Sequence, residues 1–415
     1  MRRPLRFLFN FALGAGLCGG AMAAGLPPLS GELTGKMEMR ALRGAPPVLW
    51  RLQIQPPTDG VLQVQVTLTA PGFELHADAL LPMDGKPGQW KIKEGSIDLA
   101  RWWRSAATAA EATLPDDLEV SGHLQLGGSG AVRDWMPEGV MTAVMQGGHA
   151  ASSAQGWSAD EINLSSTLAL GAGGVALQTA QLKVGRAEAE GIVARNLGIE
   201  AAGAPDGRIA VSQTEVEVLG GRVVLAPFVF DPARLEVRTT AELTGVALSE
   251  LASLLPETLA EAHGRLSGRI ALHWSSAAGF EPGSGSLNVL PDTPASLRLA
   301  AAPGFLTQHM PERIQLVPAW LGPLARWLSP ENPAYDSLRH IELGEQSLTV
   351  EKLRVELYPD GTGGARSATV EVSARPPAGS IVEQVSFTIN VAGPLEQILK
   401  LGLDDRAKIK FGPLK

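Results

Sequence analysis

Cysteine is almost absent from this chain: Cys18 is the only one in 415 residues. If the leading segment is cut after Ala23, the remaining protein has none, which removes disulfides, thiolate nucleophiles and Cys-based zinc sites. Aromatic residues are also scarce, at 5% with two tyrosines, although apolar residues reach 45%. The net charge is −8 and no long run carries one sign, so the basic face that nucleic acid requires is missing. No internal apolar stretch approaches the ~20 residues needed to span a bilayer as a helix.

Catalytic patterns are missing as well. The seven histidines, His76, His123, His149, His263, His273, His309 and His340, never fall at metal-ligand spacing. Gly127-Gly128-Ser129-Gly130-Ala131 lacks the last glycine of a nucleophile elbow and reads as a turn. Gly171-Ala172-Gly173-Gly174 joins two strand-like runs, so no helix N-terminus is there to hold a phosphate. The acid pairs Asp116-Asp117 and Asp404-Asp405 read as solvated surface. The expectation is a protein with no catalytic residue, no metal and no cofactor.

The first residues do carry a signal. Three arginines, Arg2, Arg3 and Arg6, precede an apolar stretch from Phe7 to Cys18, and small residues follow at Ala21 and Ala23. A basic start, a short apolar middle and an A-x-A end make a secretory signal peptide over residues 1–23. Leu17 precedes Cys18 where a lipoprotein signal needs a small side chain. A retained membrane anchor is the alternative, and the shortness of the apolar part argues against it.

Beyond that segment the dominant pattern is two-residue alternation, the mark of a strand with one dry and one wet face. Leu62, Val64, Val66 and Leu68 alternate with Gln63, Gln65 and Thr67. The same beat runs through Leu266-Gly268-Ile270-Leu272-Trp274, Leu353-Val355-Leu357 and Val385-Phe387-Ile389-Val391. Further runs lie at 162–170, 175–184, 209–218, 223–230 and 235–243. The 47 glycines and 30 prolines supply turns such as Pro205-Asp206-Gly207 and Pro359-Asp360-Gly361. Helical spacing is confined to short places: after Asp98, after Ser249, around Trp320–Leu328, and from Pro394 to Leu403. They are too few for βαβ crossovers and read as end-plugs on a sheet. Trp102-Trp103 and Trp320/Trp327 fit the same role, with lipid-interface anchoring as the alternative. One element repeats: Gly31-Glu32-Leu33-Thr34-Gly35-Lys36-Met37 has the form of Gly264-Arg265-Leu266-Ser267-Gly268-Arg269-Ile270. The pattern predicts a mainly β fold, with residues 24–207 as an N-terminal β-rich region and 208–415 as a C-terminal β domain.

From Gly220 to Leu403 the chain resembles the C-terminal region of YdbH-type proteins of the AsmA-like superfamily. The residues that carry this are Gly220-Gly221-Arg222-Val223, then Leu243-Thr244-Gly245-Val246-Ala247-Leu248-Ser249-Glu250-Leu251 with Leu254-Leu255-Pro256. Gly264–Leu272, Tyr335-Asp336-Ser337-Leu338 and Val385–Val391 follow in order. The resemblance implies an elongated, curled antiparallel sheet with an apolar groove, a few capping helices, and phospholipid passage between inner and outer membranes. It implies a periplasmic protein whose partners are a phospholipid or other acyl-chain ligand and membrane proteins of the envelope. On this reading Leu266, Ile270, Leu272, Trp274, Leu353, Val355, Leu357, Val385, Phe387, Ile389 and Val391 line the groove. Two alternatives stand beside it: an envelope assembly factor that recruits partners at sheet edges, and an exported hydrolase, for which no triad or metal set is visible.

Overall fold

The computed structural model describes residues 30–38, 46–109, 116–133, 136–171, 174–189, 191–232, 234–253, 259–275, 279–308, 310–314, 330–358 and 366–392. The fold is mainly β, antiparallel and open, not closed into a barrel, with a few short helices. The chain divides into two compact units, Met1–Glu215 with Pro227–Arg234, and Val216–Ala226 with Leu235–Lys415.

In chain order the first strands are β1 (Gly31–Met37), β2 (Val48–Ile54), β3 (Val61–Ala70), β4 (Phe73–Pro82) and β5 (Gly88–Asp98). Helix α1 (Leu99–Ala109) precedes β6 (Glu119–Arg133), β7 (Met136–Ser152), β8 (Trp157–Gly171), β9 (Gly174–Ala189) and β10 (Ile192–Gly203). Then come β11 (Ile209–Val218), β12 (Gly221–Leu225) and β13 (Phe228–Phe230). In the first unit β1 to β10 form a meander in which each strand pairs antiparallel with the next, while β11 pairs with β13. Short connections make this possible. Ala70 and Phe73 are partners across a two-residue loop, and Gly72 takes φ +74° there, a conformation that costs glycine nothing.

Alternation in β3 becomes alternation in burial, with Leu62, Val64, Val66 and Leu68 all under 9% exposed. The register carries that dry face across eight strands in one row, Leu52, Val66, Ala77, Ile92, Gly128, Met141, Leu168 and Leu177, with the exposed Leu33 of β1 at its edge. The described residues place no second layer of strands over it. Its buried cluster draws on β1 to β8 and on Trp102 of α1. Asp98 caps α1 by accepting from the Ala100 N–H at 3.1 Å, and the Trp102 indole donates to the Pro71 carbonyl at 3.0 Å. Trp103 lies half-buried, with the Arg104 guanidinium 4.9 Å from its ring centre.

The glycine-rich stretch read as a turn is instead the middle of β6, paired on both sides. The reason is space. A Cβ on Gly128 would sit 3.1 Å from the Trp90 ring, and one on Gly130 would sit 1.9 Å from the Glu138 carbonyl. These glycines let a large indole and a neighbouring strand approach the backbone, a use of strand glycine that sequence punctuation mimics. The run at 223–230 also breaks, into β12 and β13, because Pro227 cannot donate to a ladder. Pro205-Asp206-Gly207 does form its turn, closed by Gly207 N–H to the Ala204 carbonyl at 3.0 Å.

The second unit adds β14 (Glu236–Ala247), α2 (Leu248–Ser253), β15 (Leu259–His263), β16 (Arg265–Ser275), β17 (Gly279–Val289) and β18 (Ala295–Leu299). Helix α3 (Pro333–Glu342), β19 (Leu348–Leu357), β20 (Arg366–Arg375) and β21 (Val385–Ala392) complete it. Its ladder runs β12–β14–β16–β17–β19–β20–β21. Strand β19 is shared: its second half pairs with β17, and its first half with β18, which also holds β15. Helix α2 begins at Leu248, one residue before its predicted cap. The predicted helices at Trp320–Leu328 and Pro394–Leu403, the Pro359-Asp360-Gly361 turn and residues 1–23 lie outside the described residues.

Gly130→Val should lower the unfolding free energy by about 3 kcal/mol, since a backbone carbonyl cannot step aside for a side chain. The urea midpoint of the purified chain measures it.

Candidate functional site

The eleven residues singled out in the alternating strands fall on one face of the second unit's sheet. Antiparallel partners point to the same side, and the register links them in rows. One row is Ala241, Ile270, Gly285, Leu357, Ala368 and Val391; the next is Leu243, Gly268, Leu287, Val355, Val370 and Ile389. Leu353 and Phe387 flank Val372 in a third row, and Val385 pairs with Ala374. Leu272 and Trp274 extend the face along β16, opposite Thr239 and Val237. The side chains of Ile389 and Val391 lie outside the described residues, and only their register is stated.

Cover divides this face into two parts. At one end Leu266, Leu353 and Val385 are buried in a cluster with Leu297, Leu348 and Ala374. Leu248 and Ala252 of α2 and Leu338 and Ile341 of α3 belong to the same cluster, with Phe305, Leu306 and Met310 packed against it. Three of the eleven residues are therefore covered by the protein's own side chains. Val355 and Phe387 pack against this cluster as partly buried side chains. Farther along the cover thins: Ile270, Leu272 and Leu357 are half-buried, and Trp274 is 39% exposed.

The covered end is held by a buried carboxylate. Glu342, 3% exposed at the end of α3, accepts from the Leu306 and Thr307 amides at 2.9 and 3.1 Å and from the Thr307 hydroxyl at 2.8 Å. Burial by itself pushes its pKa up. The amides of Gly304, Leu306 and Thr307 and that hydroxyl outweigh burial and hold it below the ordinary glutamate value.

A comparable apolar face, outside the eleven groove residues but including the alternating runs at 162–170 and 175–184, lies in the first unit. Met145, Leu164, Leu182 and Ile199 form one row through β7 to β10, and Ile162, Val184 and Leu197 form another. Leu164, Leu182, Ile199, Ile162 and Leu197 are half-buried. In β8 the alternation of Ile162, Leu164, Leu168 and Leu170 is interrupted by Ser166.

Polar groups sit elsewhere. His273 hydrogen-bonds Glu281 at 2.7 Å and Glu236 at 3.1 Å on the opposite, wet face, and His149 reaches Asp160 at 2.6 Å. Among the described residues, no three His, Cys, Asp or Glu are placed to hold a metal. Asp117 is more than solvated surface: it accepts from the Ser152 and Ser153 hydroxyls and from the Ala154 amide at 2.7 Å, clasping the β7–β8 turn. Those bonds, the Ala154 amide foremost, lower its pKa. No helix among the described residues is long and apolar enough to cross a membrane.

An open antiparallel sheet with an incompletely covered aliphatic face defines a surface suited to flexible apolar chains. The chain belongs to the YdbH-like family: the model of the intermembrane phospholipid transport protein YdbH matches residues 41–281, more than half of its length. That match overlaps the residues that carry the sequence resemblance from 220 to 281. No curated protein and no solved structure matches the chain.

Glu342 makes the covered end sensitive to acid in a defined direction. Its folded pKa is depressed, so its contribution is present above the ordinary glutamate value and disappears as pH falls through the lower folded value. Glu342→Gln should cost about 2 kcal/mol at neutral pH, and the gap from the parent protein should close on acidification. Urea melts at several pH values measure both.

Proposed function

We propose that this chain is a periplasmic, non-catalytic carrier of phospholipid that contributes to lipid passage between the inner and outer membranes. The observation that carries the reading is the half-buried aliphatic rows on each unit's sheet, in a chain whose family is described by intermembrane phospholipid transport. Burying methylenes yields about 0.8 kcal/mol each and demands no directional partner. A face of Leu, Ile and Val therefore holds acyl chains of many kinds while leaving the headgroup in water.

Ile270, Leu272, Trp274, Val355 and Leu357 are the proposed lipid-contacting residues of the second unit. Ile162, Leu164, Leu182, Leu197 and Ile199 are those of the first. Leu266, Leu353 and Val385 contact protein in the present structure. Ile389 and Val391 continue the proposed rows by register. Phe387 stands where the covered and open parts meet.

Protein purified without detergent should carry phospholipid that organic extraction recovers and native mass spectrometry resolves. Val355→Asp and Ile199→Asp each place a charge where acyl methylenes would lie, which is costly to desolvate. Each should reduce bound phospholipid roughly tenfold while the circular dichroism of the sheet is kept. Lipid retained at the parent level in folded variants would sink this reading.

A further inference from the structure

The aliphatic rows of the first unit end in charge. On β9, Leu182, Val184, Arg186 and Glu188 alternate to one side of an extended strand, and antiparallel partners share that side. The row beyond Ile162, Val184 and Leu197 is therefore Asp160, Arg186 and Arg195. Rows two residues apart lie about 7 Å from each other along the strands. Two observations fix the side. The Arg186 guanidinium reaches Glu188, two residues on, at 2.7 Å. The space that a Gly185 side chain would take is filled by the Glu161 carboxylate, which puts Glu161 on the opposite face.

Arg186 and Arg195 are direct cross-strand partners, and like charges in that position repel. Both are exposed. The carboxylates on this face leave one of them uncompensated. Glu188 holds Arg186. Asp160 bonds His149 at 2.6 Å and stands two strands from Arg195, about 10 Å away. Among the described residues Arg195 makes no ion pair. An anion lying between the two guanidinium forks would replace the repulsion with charge-assisted hydrogen bonds.

Behind each arginine runs one aliphatic track, Val184 and Leu182 along β9 and Leu197 and Ile199 along β10. Adjacent strands are about 4.8 Å apart, so the tracks lie side by side. A phosphodiester has two unesterified oxygens for two forks, and a glycerophospholipid carries two acyl chains for two tracks. A fatty acid would leave one track empty. We infer that Arg186 and Arg195 form a phosphate-binding pair that holds the headgroup of a glycerophospholipid at the end of the first unit's apolar face, with its acyl chains along β9 and β10. The inference rests on the lipid-carrier reading and adds a position and a direction for the bound lipid.

Calorimetry of the full chain with short-chain lipids below their micelle concentration tests the pair. Dihexanoylphosphatidylethanolamine should bind about tenfold more tightly than dihexanoylglycerol, which has the same chains and no phosphate. Arg195→Gln should bring the two lipids close to equal, while the urea midpoint stays or rises because the repulsion is gone. A parent that binds both lipids equally, or an Arg195→Gln protein that keeps the preference, overturns the phosphate pair and leaves the carrier reading standing. A lower midpoint in Arg195→Gln assigns the arginines to the fold and overturns them as a binding site. Glycerophosphoethanolamine, a headgroup without acyl chains, should bind at least ~hundredfold more weakly than the lipid. Binding as tight as the lipid's would make the pair a site for free anions and overturn its place in lipid carriage. Binding of neither lipid by the parent overturns the carrier reading and the pair with it.

Discussion

The physical constraint behind this structure is the cover of a dry sheet face. Each strand with period-2 alternation makes one aliphatic surface, and water-exposed aliphatic surface costs about 25 cal/mol per Å². The two units meet that cost differently. In the first, Met37, Trp90, Val132 and Met141 join Val48, Leu62 and Trp102 of α1 in one cluster. In the second, α2, α3 and Phe305, Leu306 and Met310 pack with Leu348 and Ala374, both fully buried. Neither device reaches the whole face. Where cover stops, half-buried leucine, isoleucine and valine remain, and these rows are what a lipid-handling reading draws on.

The few large rings act at the borders of this cover. Trp102 seals the α1 end of the first sheet against Phe73, with ring centres 5.6 Å apart, while Trp90 lies over the glycines of β6. Phe305 and Phe387 meet edge-on against the covered cluster of the second unit. The wet faces are laced by cross-strand pairs such as Lys93 with Asp78 and Arg298 with Glu261. Pairs this exposed contribute about 0–1 kcal/mol each and serve to keep that face wet and the register in place. Glu342 is the contrasting case, a buried carboxylate tolerated because amides and a hydroxyl satisfy it.

Much of the fold was legible along the chain because strand alternation is a local property. Leu62 to Leu68 and Leu353 to Leu357 announce their dry face by spacing alone, and Asp98 announces the start of α1. Legibility failed where a residue's role is set by a remote neighbour. Gly127-Gly128-Ser129-Gly130 looks like punctuation, yet Trp90 and Glu138 decide that it is strand. The runs at 162–170 and 175–184 were visible, but only pairing lines Leu164, Leu182 and Ile199 up in one row. Glu342 showed no signal, since its partners Leu306 and Thr307 lie some 35 residues away.

The sequence by itself determined that the chain is β-rich, nearly free of cysteine, poor in rings and furnished with one aliphatic face per strand. It also placed Leu266, Ile270, Leu353 and Leu357 on dry faces, because the two-residue period of an extended chain admits no other arrangement. Only the tertiary structure decided which of them stay open. Leu266 and Leu353 are buried in a cluster with α2 and α3, whereas Ile270 and Leu357 are half-buried. Spacing reports the direction a side chain points; cover depends on segments that arrive from elsewhere in the chain.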